Sequence, residues 1–208
     1  MSERLLLIGA SGLAREVIAA GVVGVVGILD DDSARQGTEV AGVPVLGPVR
    51  LAVEGSDRLL VCVGPGSGRR SIVARLAEAG VREERYGIFA ARSARIGHSS
   101  VVGAGSILLD SVVVTADASV GRHVVIMPNS TVTHDDVLED FVTLAAGVSL
   151  GGGVRVGEGA YLGMNASVRQ GITVGTDAVI GMGAAVIADV PDGRTWAGVP
   201  ARDLGEKR

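Results

Sequence analysis

Few side chains in this sequence can do chemistry near neutral pH. Its 208 residues hold three histidines, His98, His123 and His134, and one cysteine, Cys62. Imidazole is the group whose charge changes most readily around pH 7, so a proton-transfer site would be built on one of the three. His134 stands apart because Asp135-Asp136 follows it, whereas His98 and His123 read as solvated side chains. A second set of residues has binding chemistry. Gly9-Ala10-Ser11-Gly12 follows the apolar run Leu5 to Ile8 and precedes a helix-compatible stretch from Leu13 to Ala20. Free amides at such a helix start can hold a phosphate. Asp30-Asp31, about twenty residues on, can hold ribose or uracil groups, and Gly64-Pro65-Gly66 ends a third apolar run. The spacing Gly-x-x-Gly departs from Gly-x-Gly-x-x-Gly, so it does not point to hydride transfer.

The elements that must position these residues come from two different periods. From Ile96, every sixth residue as far as Val186 is Ile, Val or Leu, sixteen positions without an insertion. Four residues after each, the side chain is usually small or β-branched, and Asp136 is the one charged exception. Six is neither a helical nor a coiled-coil period, but it equals three strand periods of two. It fits a two-residue strand plus a turn, three of which close a triangular coil of eighteen residues with both positions pointing inward. Glycine directly after the aliphatic residue, as at Gly97, Gly121, Gly151 and Gly163, is expected to supply turn geometry. Residues eighteen apart then stack one coil above another, which pairs His134 with Gly152. A charge inside such a solenoid costs energy unless it is paired, so Asp136 marks a candidate site beside His134.

The first ninety residues alternate differently. Strands at Leu5 to Ile8, Val25 to Leu29 and Leu59 to Val63, with helices between and after, argue for a small Rossmann-like parallel sheet. Ligands in such sheets sit beyond the carboxyl ends of the strands, where Ser11, Gly12, Asp30, Asp31, Gly64 and Pro65 would converge. The fold expected is α/β plus β-solenoid: a sheet domain over residues 1–90, then a parallel β-helix with a C-terminal tail over 91–208. A net charge of −4 and 2% aromatics argue against nucleic acid as a partner. The longest uncharged apolar stretch, Val17 to Leu29, is too short to span a membrane despite a mean hydropathy of +0.42. A single cysteine and no secretory leader point to the cytoplasm.

Leu7-Ile8-Gly9-Ala10-Ser11-Gly12, the strand end Leu29-Asp30-Asp31, the hexapeptide solenoid and Gly198-Val199-Pro200-Ala201 together resemble the NeuD/PglD-like sugar O- and N-acetyltransferases of the hexapeptide-repeat acyltransferases. The resemblance covers nearly the whole chain. It implies a left-handed β-helix and a homotrimer with coenzyme A lying between neighbouring solenoids. It also implies acetyl transfer from acetyl-CoA, without a metal, to a UDP- or GDP-linked 4-amino-dideoxy sugar. By position, the catalytic histidine falls on His134 within Val132-Thr133-His134-Asp135. Asp135 would raise its basicity and the amide at Gly152 would hold the oxyanion. The nucleotide-sugar positions fall on Ser11, Gly12, Leu13, Asp30, Asp31, Gly64 and Pro65, and the coenzyme A positions on Thr143, Gly152, Met164 and Met182. Leu13 stands where the PglD branch has histidine, and Gly64-Pro65-Gly66 replaces a Gly-Asn-Asn-like turn.

Other readings stay open at this stage. One is an O-acetyltransferase of the sialic-acid type. A γ-type carbonic anhydrase would need zinc on His98, His134 and Glu139, and a sugar-nucleotide-binding scaffold would need no base at all. No loop interrupts the repeat between Ile96 and Val190, so acceptor recognition falls to the front domain, which favours a nucleotide-bearing acceptor.

Overall fold

The structure, a computed structural model, describes residues 4–206. Strands β1 (Leu5–Ile8), β2 (Val25–Leu29), β3 (Glu39–Val40), β4 (Val43–Gly47) and β5 (Arg58–Val61) form one sheet in the order β3-β4-β2-β1-β5. All pairs except β3–β4 are parallel. Side chains along β1 alternate between two cores, Leu7 on one face and Leu6 and Ile8 on the other. That is why the run reads as continuously apolar. Helix α1 (Gly12–Ala19) follows β1, and helix α2 (Gly66–Glu78) follows β5. The chain leaves β1 for β2 on one side and later places β5 on the other, so the carboxyl ends of β1 and β5 flank the point where the strand order reverses.

From Phe89 the chain winds as a left-handed parallel β-helix of two-residue strands on three faces. The first face stacks Arg95–Ile96, Val113–Val114, Thr131–Val132 and their successors. The second stacks Val101–Val102, Ser119–Val120 and Val137–Leu138, and continues to Thr173–Val174. The third runs from Phe89–Ala90 through Val125–Ile126, Thr143–Leu144 and Tyr161–Leu162 to Val179–Ile180, and is closed by the hairpin Arg194–Ala197 and Arg202–Glu206. Pairing at a register of eighteen, as Thr143 with Tyr161, bears out the coil length. The sixth-position aliphatics from Leu108 to Val186 are buried in one column of core.

The glycines after the aliphatic residue have a different role from the one expected. None has a left-handed φ; a Cβ at Gly163 would instead sit 2.7 Å from the Met182 amide, and one at Gly103 would sit 2.6 Å from the backbone of Gly121. They admit the close passage of the next coil. The left-handed residues come two positions later, at Gly105, Ser111, Asp117, His123, Asn129, Asp135, Phe141 and on to Gly183.

The front domain docks on the third face and on the corner between the second and third faces. Leu13, Ala14 and Val17 of α1 pack with Ile107, Leu109 and Val125. At the corner, Arg69 of α2 is fully buried. Its Nε donates to His123 O (2.8 Å), Nη1 to Val63 O (3.0 Å) and Gly64 O (2.5 Å), and Nη2 to Phe141 O (2.8 Å), Val142 O (3.0 Å) and Thr143 Oγ1 (3.0 Å). Beside it Arg70 pairs with Glu158 and Asp177. His123 is not the solvated side chain the repeat suggested. It is buried, stacked on Phe141 at 5.3 Å and edge-on to Tyr86 at 4.6 Å, because the front domain covers this corner. Burial, with the charges of Arg69 and Arg122, lowers its pKa to about 4.

Two outcomes follow for stability. Gly163→Ala should cost about 1–3 kcal/mol, since backbone opposes the new methyl. Gly171→Asn should stay within about 0.5 kcal/mol, because φ is +69° there with open space around it, and Asn already fills the equivalent turn at Asn129 and Asn165; urea titration separates the two. For His123 the folded pKa lies below the unfolded value of 6.5, so only the unfolded chain gains a proton between them. Stability should therefore fall as pH drops from 6.5 towards 4, and His123→Phe should flatten that part of a melting-temperature profile.

Candidate functional site

Two places in the chain have the makings of a site. The first is a cleft of about 590 Å³ at the carboxyl ends of β1 and β5, between the front domain and the third face. Ser11, Gly12, Leu13, Gly64 and Pro65 all line it, as the sequence predicts for acceptor-binding residues. Val125, Thr143, Ala145 and Tyr161 form its solenoid wall. Ser11 builds the turn into α1: its hydroxyl accepts from Ala14 N and donates to Cys62 O at 2.6 Å, tying the ends of β1 and β5 together.

Asp30 and Asp31 are not in this cleft, and their carboxylates are engaged within the chain. Asp30 Oδ2 accepts from Ala10 N (2.6 Å) and Oδ1 from Asp32 N (2.8 Å), so it shapes the turn before Ser11. Asp31 accepts from Val49 N and pairs with Arg75, whose hydrogen bond holds its carboxyl below the usual range. Thr143 also departs from its expected place. Its hydroxyl is spent between Arg69 and Gly64 O, on the cleft's wall, while Met164 and Met182 stand exposed on the corner between the third and first faces. Arg69 and Tyr161 escaped the sequence reading. The signal for Arg69 was a cation in the first turn of a helix, where the dipole disfavours it.

The second place is the corner between the first and second faces. There the turn at residue 134 carries the histidine outward, 69% exposed, and Asp135 Oδ2 lies 2.8 Å from its Nδ1. That hydrogen bond, and the charges of Asp135 and Asp136, raise the imidazole pKa. One coil up, a Cβ on Gly152 would run into the His134 ring, and Gly153 N donates to His134 O at 2.9 Å. The Gly152 amide itself donates to no oxygen among the described residues. The pair expected from the eighteen-residue register is therefore in place. Asp136 is wholly buried beneath it; its oxygens accept from Val154 N (2.8 Å) and Thr133 N (2.6 Å), and burial lifts its pKa to about 6.

A base held by a carboxylate, next to an unpaired amide and a surface free of side chains, can deprotonate a nucleophile attacking a carbonyl and hold the charge that forms. Within one chain this corner lies opposite the third face, so the cleft and His134 point away from each other. Glu139 belongs to yet another corner, and among the described residues no group of three His, Cys, Asp or Glu side chains is placed to hold a metal ion. No described helix is long and apolar enough to cross a membrane.

No protein-family model matches the chain. Among curated proteins, the UDP-3-O-acylglucosamine N-acyltransferase of Methylobacterium sp. (strain 4-46) is 27% identical over 107 residues, 51% of this chain; the match spans only 25% of that relative's length. Solved structures match throughout, among them these two. The acetyltransferase domain of PglB from Neisseria gonorrhoeae FA1090, in complex with acetyl coenzyme A, is 33% identical with a TM-score of 0.88, covering 98% of this chain and 100% of that one. PerB from Caulobacter crescentus, in complex with CoA and GDP-perosamine, is 32% identical with a TM-score of 0.88, covering 99% of each.

Proposed function

Since the chain belongs to the hexapeptide-repeat sugar N-acetyltransferases, as the likeness to the PglB domain and PerB establishes, we propose that it acetylates a nucleotide-linked amino sugar from acetyl-CoA with His134 as base. The observation that carries this reading is the His134–Asp135 hydrogen bond lying directly beneath side-chain-free Gly152. Asp135 takes the Nδ1 proton into its hydrogen bond, which leaves the Nε2 lone pair free on the side of the ring that lies against Gly152. Nε2 removes a proton from the acceptor amine as its nitrogen forms a bond to the thioester carbon. The Gly152 amide donates to the carbonyl oxygen while it carries negative charge. When the C–S bond breaks, the imidazolium returns its proton to the departing sulfur.

The acceptor's nucleotide end is assigned to the cleft of Ser11, Gly12, Leu13, Gly64 and Pro65, with Asp30 acting through the turn it shapes. Met164 and Met182 offer an apolar edge to coenzyme A. Because cleft and base point away from each other in one chain, a working site joins the cleft of one subunit to His134 of the next, which a cyclic trimer does three times over. On this reading the enzyme works in the cytoplasm, where acetyl-CoA and nucleotide sugars meet.

Three measurements test this. His134→Ala should lower kcat by about 10²- to 10⁴-fold with the acetyl-CoA KM little changed, while His98→Ala should change neither; a loss of a few-fold would remove His134 as base. Neutral imidazole is the active form, so kcat should rise with pH through a pKa held above the ordinary histidine value, and Asp135→Asn should move that limb to lower pH. Gly12→Trp should plug the cleft. Refolding it together with His134→Ala should restore about a quarter of wild-type activity if sites form between subunits, and none if each chain works alone.

A further inference from the structure

Asp136 breaks the rule its own position follows everywhere else. Two coils below in the same column, Ser100 Oγ accepts from Ala118 N at 3.0 Å, and Ser106 makes the same bond to Val124 N on the neighbouring corner. A small hydroxyl is thus enough to cap the next coil. At Asp136 the cap is an ionisable carboxylate with no exposed surface, bonded to the amide of Val154 in the core column. Burying a carboxylate where a serine would serve is costly, and among the described residues no arginine or lysine forms an ion pair with it. Its two oxygens reach two different turns. Oδ2 accepts from Thr133 N, beside His134, and Oδ1 from Val154 N, in the turn that carries Gly152 and Gly153 one coil above. The charged and titratable groups facing this corner are His134 and Asp135 on the same turn and Asp117 on the turn below; the turn above offers only Gly152 and Gly153.

We propose that Asp136 is a positioning residue for the base: it ties the His134 turn to the Gly152 turn and sets a second negative charge behind the imidazole. The inference rests on the reading of His134 as base, and it goes beyond it by giving the buried carboxylate a part in the reaction. Asp135 holds the ring from outside, where a water or a substrate group can compete; Asp136 holds the turn from inside, where nothing can. The Gly153 N–His134 O bond already joins the two turns, and Asp136 adds a side-chain bond to each, which holds the spacing between the base and the oxyanion amide from inside the coil. Its charge also favours the imidazolium that forms when the acceptor proton is taken.

The test replaces Asp136 by serine, the cap that the same column carries two coils below at Ser100. Asp136→Ser should fold and keep or raise the melting temperature, since it restores the local cap without a buried charge. Its His134 ring, followed by proton NMR titration, should lose about half a pH unit from its midpoint. The acid limb of kcat should shift the same way, and plateau kcat should fall about tenfold with the acetyl-CoA KM within about twofold of wild type. Asp136→Asn, of the same shape without the charge, should show the same shifts and serves should the serine variant fold poorly. An unmoved midpoint and limb in a folded variant, with His134→Ala inactive, would overturn the inference and leave Asp136 a coil cap. A midpoint that moves while His134→Ala keeps its activity would overturn the base assignment instead.

Discussion

Everything in the solenoid depends on the stacking of one coil on the next at a register of eighteen residues. Each strand is only two residues long, so almost nothing is decided along a strand and almost everything along a column. Gly163 is glycine because the Met182 amide passes over it, and Gly152 is bare where the His134 ring lies against it. The same stacking lines up Met164 with Met182 and His123 with Phe141. A pairing that would need a designed loop in another fold is obtained here by placing two residues eighteen apart.

The front domain is fixed to this column by a buried cation rather than by a broad apolar face alone. Arg69 has six oxygens around its guanidinium and no carboxylate among them. Burial lowers its pKa to about 10, still well above neutrality, so it remains charged at working pH. Backbone carbonyl dipoles stand in for its lost hydration. Because those carbonyls come from the Val63–Gly64 loop and from two successive coils, the guanidinium sets the spacing between the two walls of the cleft. Thr143 completes the link by donating to Gly64 O.

The His134 corner has the opposite character. His134 and Asp135 are both about two-thirds exposed in the single chain, 69% and 67%, and their hydrogen bond is open to water. A neighbouring subunit laid across the corner would exclude that water and strengthen the pair, since the same charges act through a lower dielectric. The buried part of the corner, Asp136 with its two amides, needs no neighbour to be ordered.

How far the sequence reaches depends on whether a feature is local and periodic. The hexad from Ile96 to Val186 determined the coil, the faces and the pairing of His134 with Gly152, because a solenoid converts sequence spacing directly into spatial spacing. The strand-turn-helix at Leu5 to Ala20 and the apolar runs ending at Leu29 and Val63 likewise announced the front sheet and the convergence of Ser11, Gly12, Gly64 and Pro65. The strands β3 and β4 went unread, since two short segments around Ala41-Gly42 carry too little pattern. What only the tertiary structure decided were contacts between the two domains. His123 looked like any outward turn residue until α2 and Tyr86 covered it, and Arg69 looked like a surface cation of a helix until the coil carbonyls surrounded it. Asp30, Asp31 and Thr143 had the right chemistry, but their partners, Ala10 N, Arg75 and Arg69, lie far along the chain or across the domain boundary, and no spacing rule links them. That the cleft and His134 sit on opposite sides of the coil was a matter of which face the front domain chose, and apolar packing of Leu13, Ala14 and Val17 on Ile107, Leu109 and Val125 made that choice.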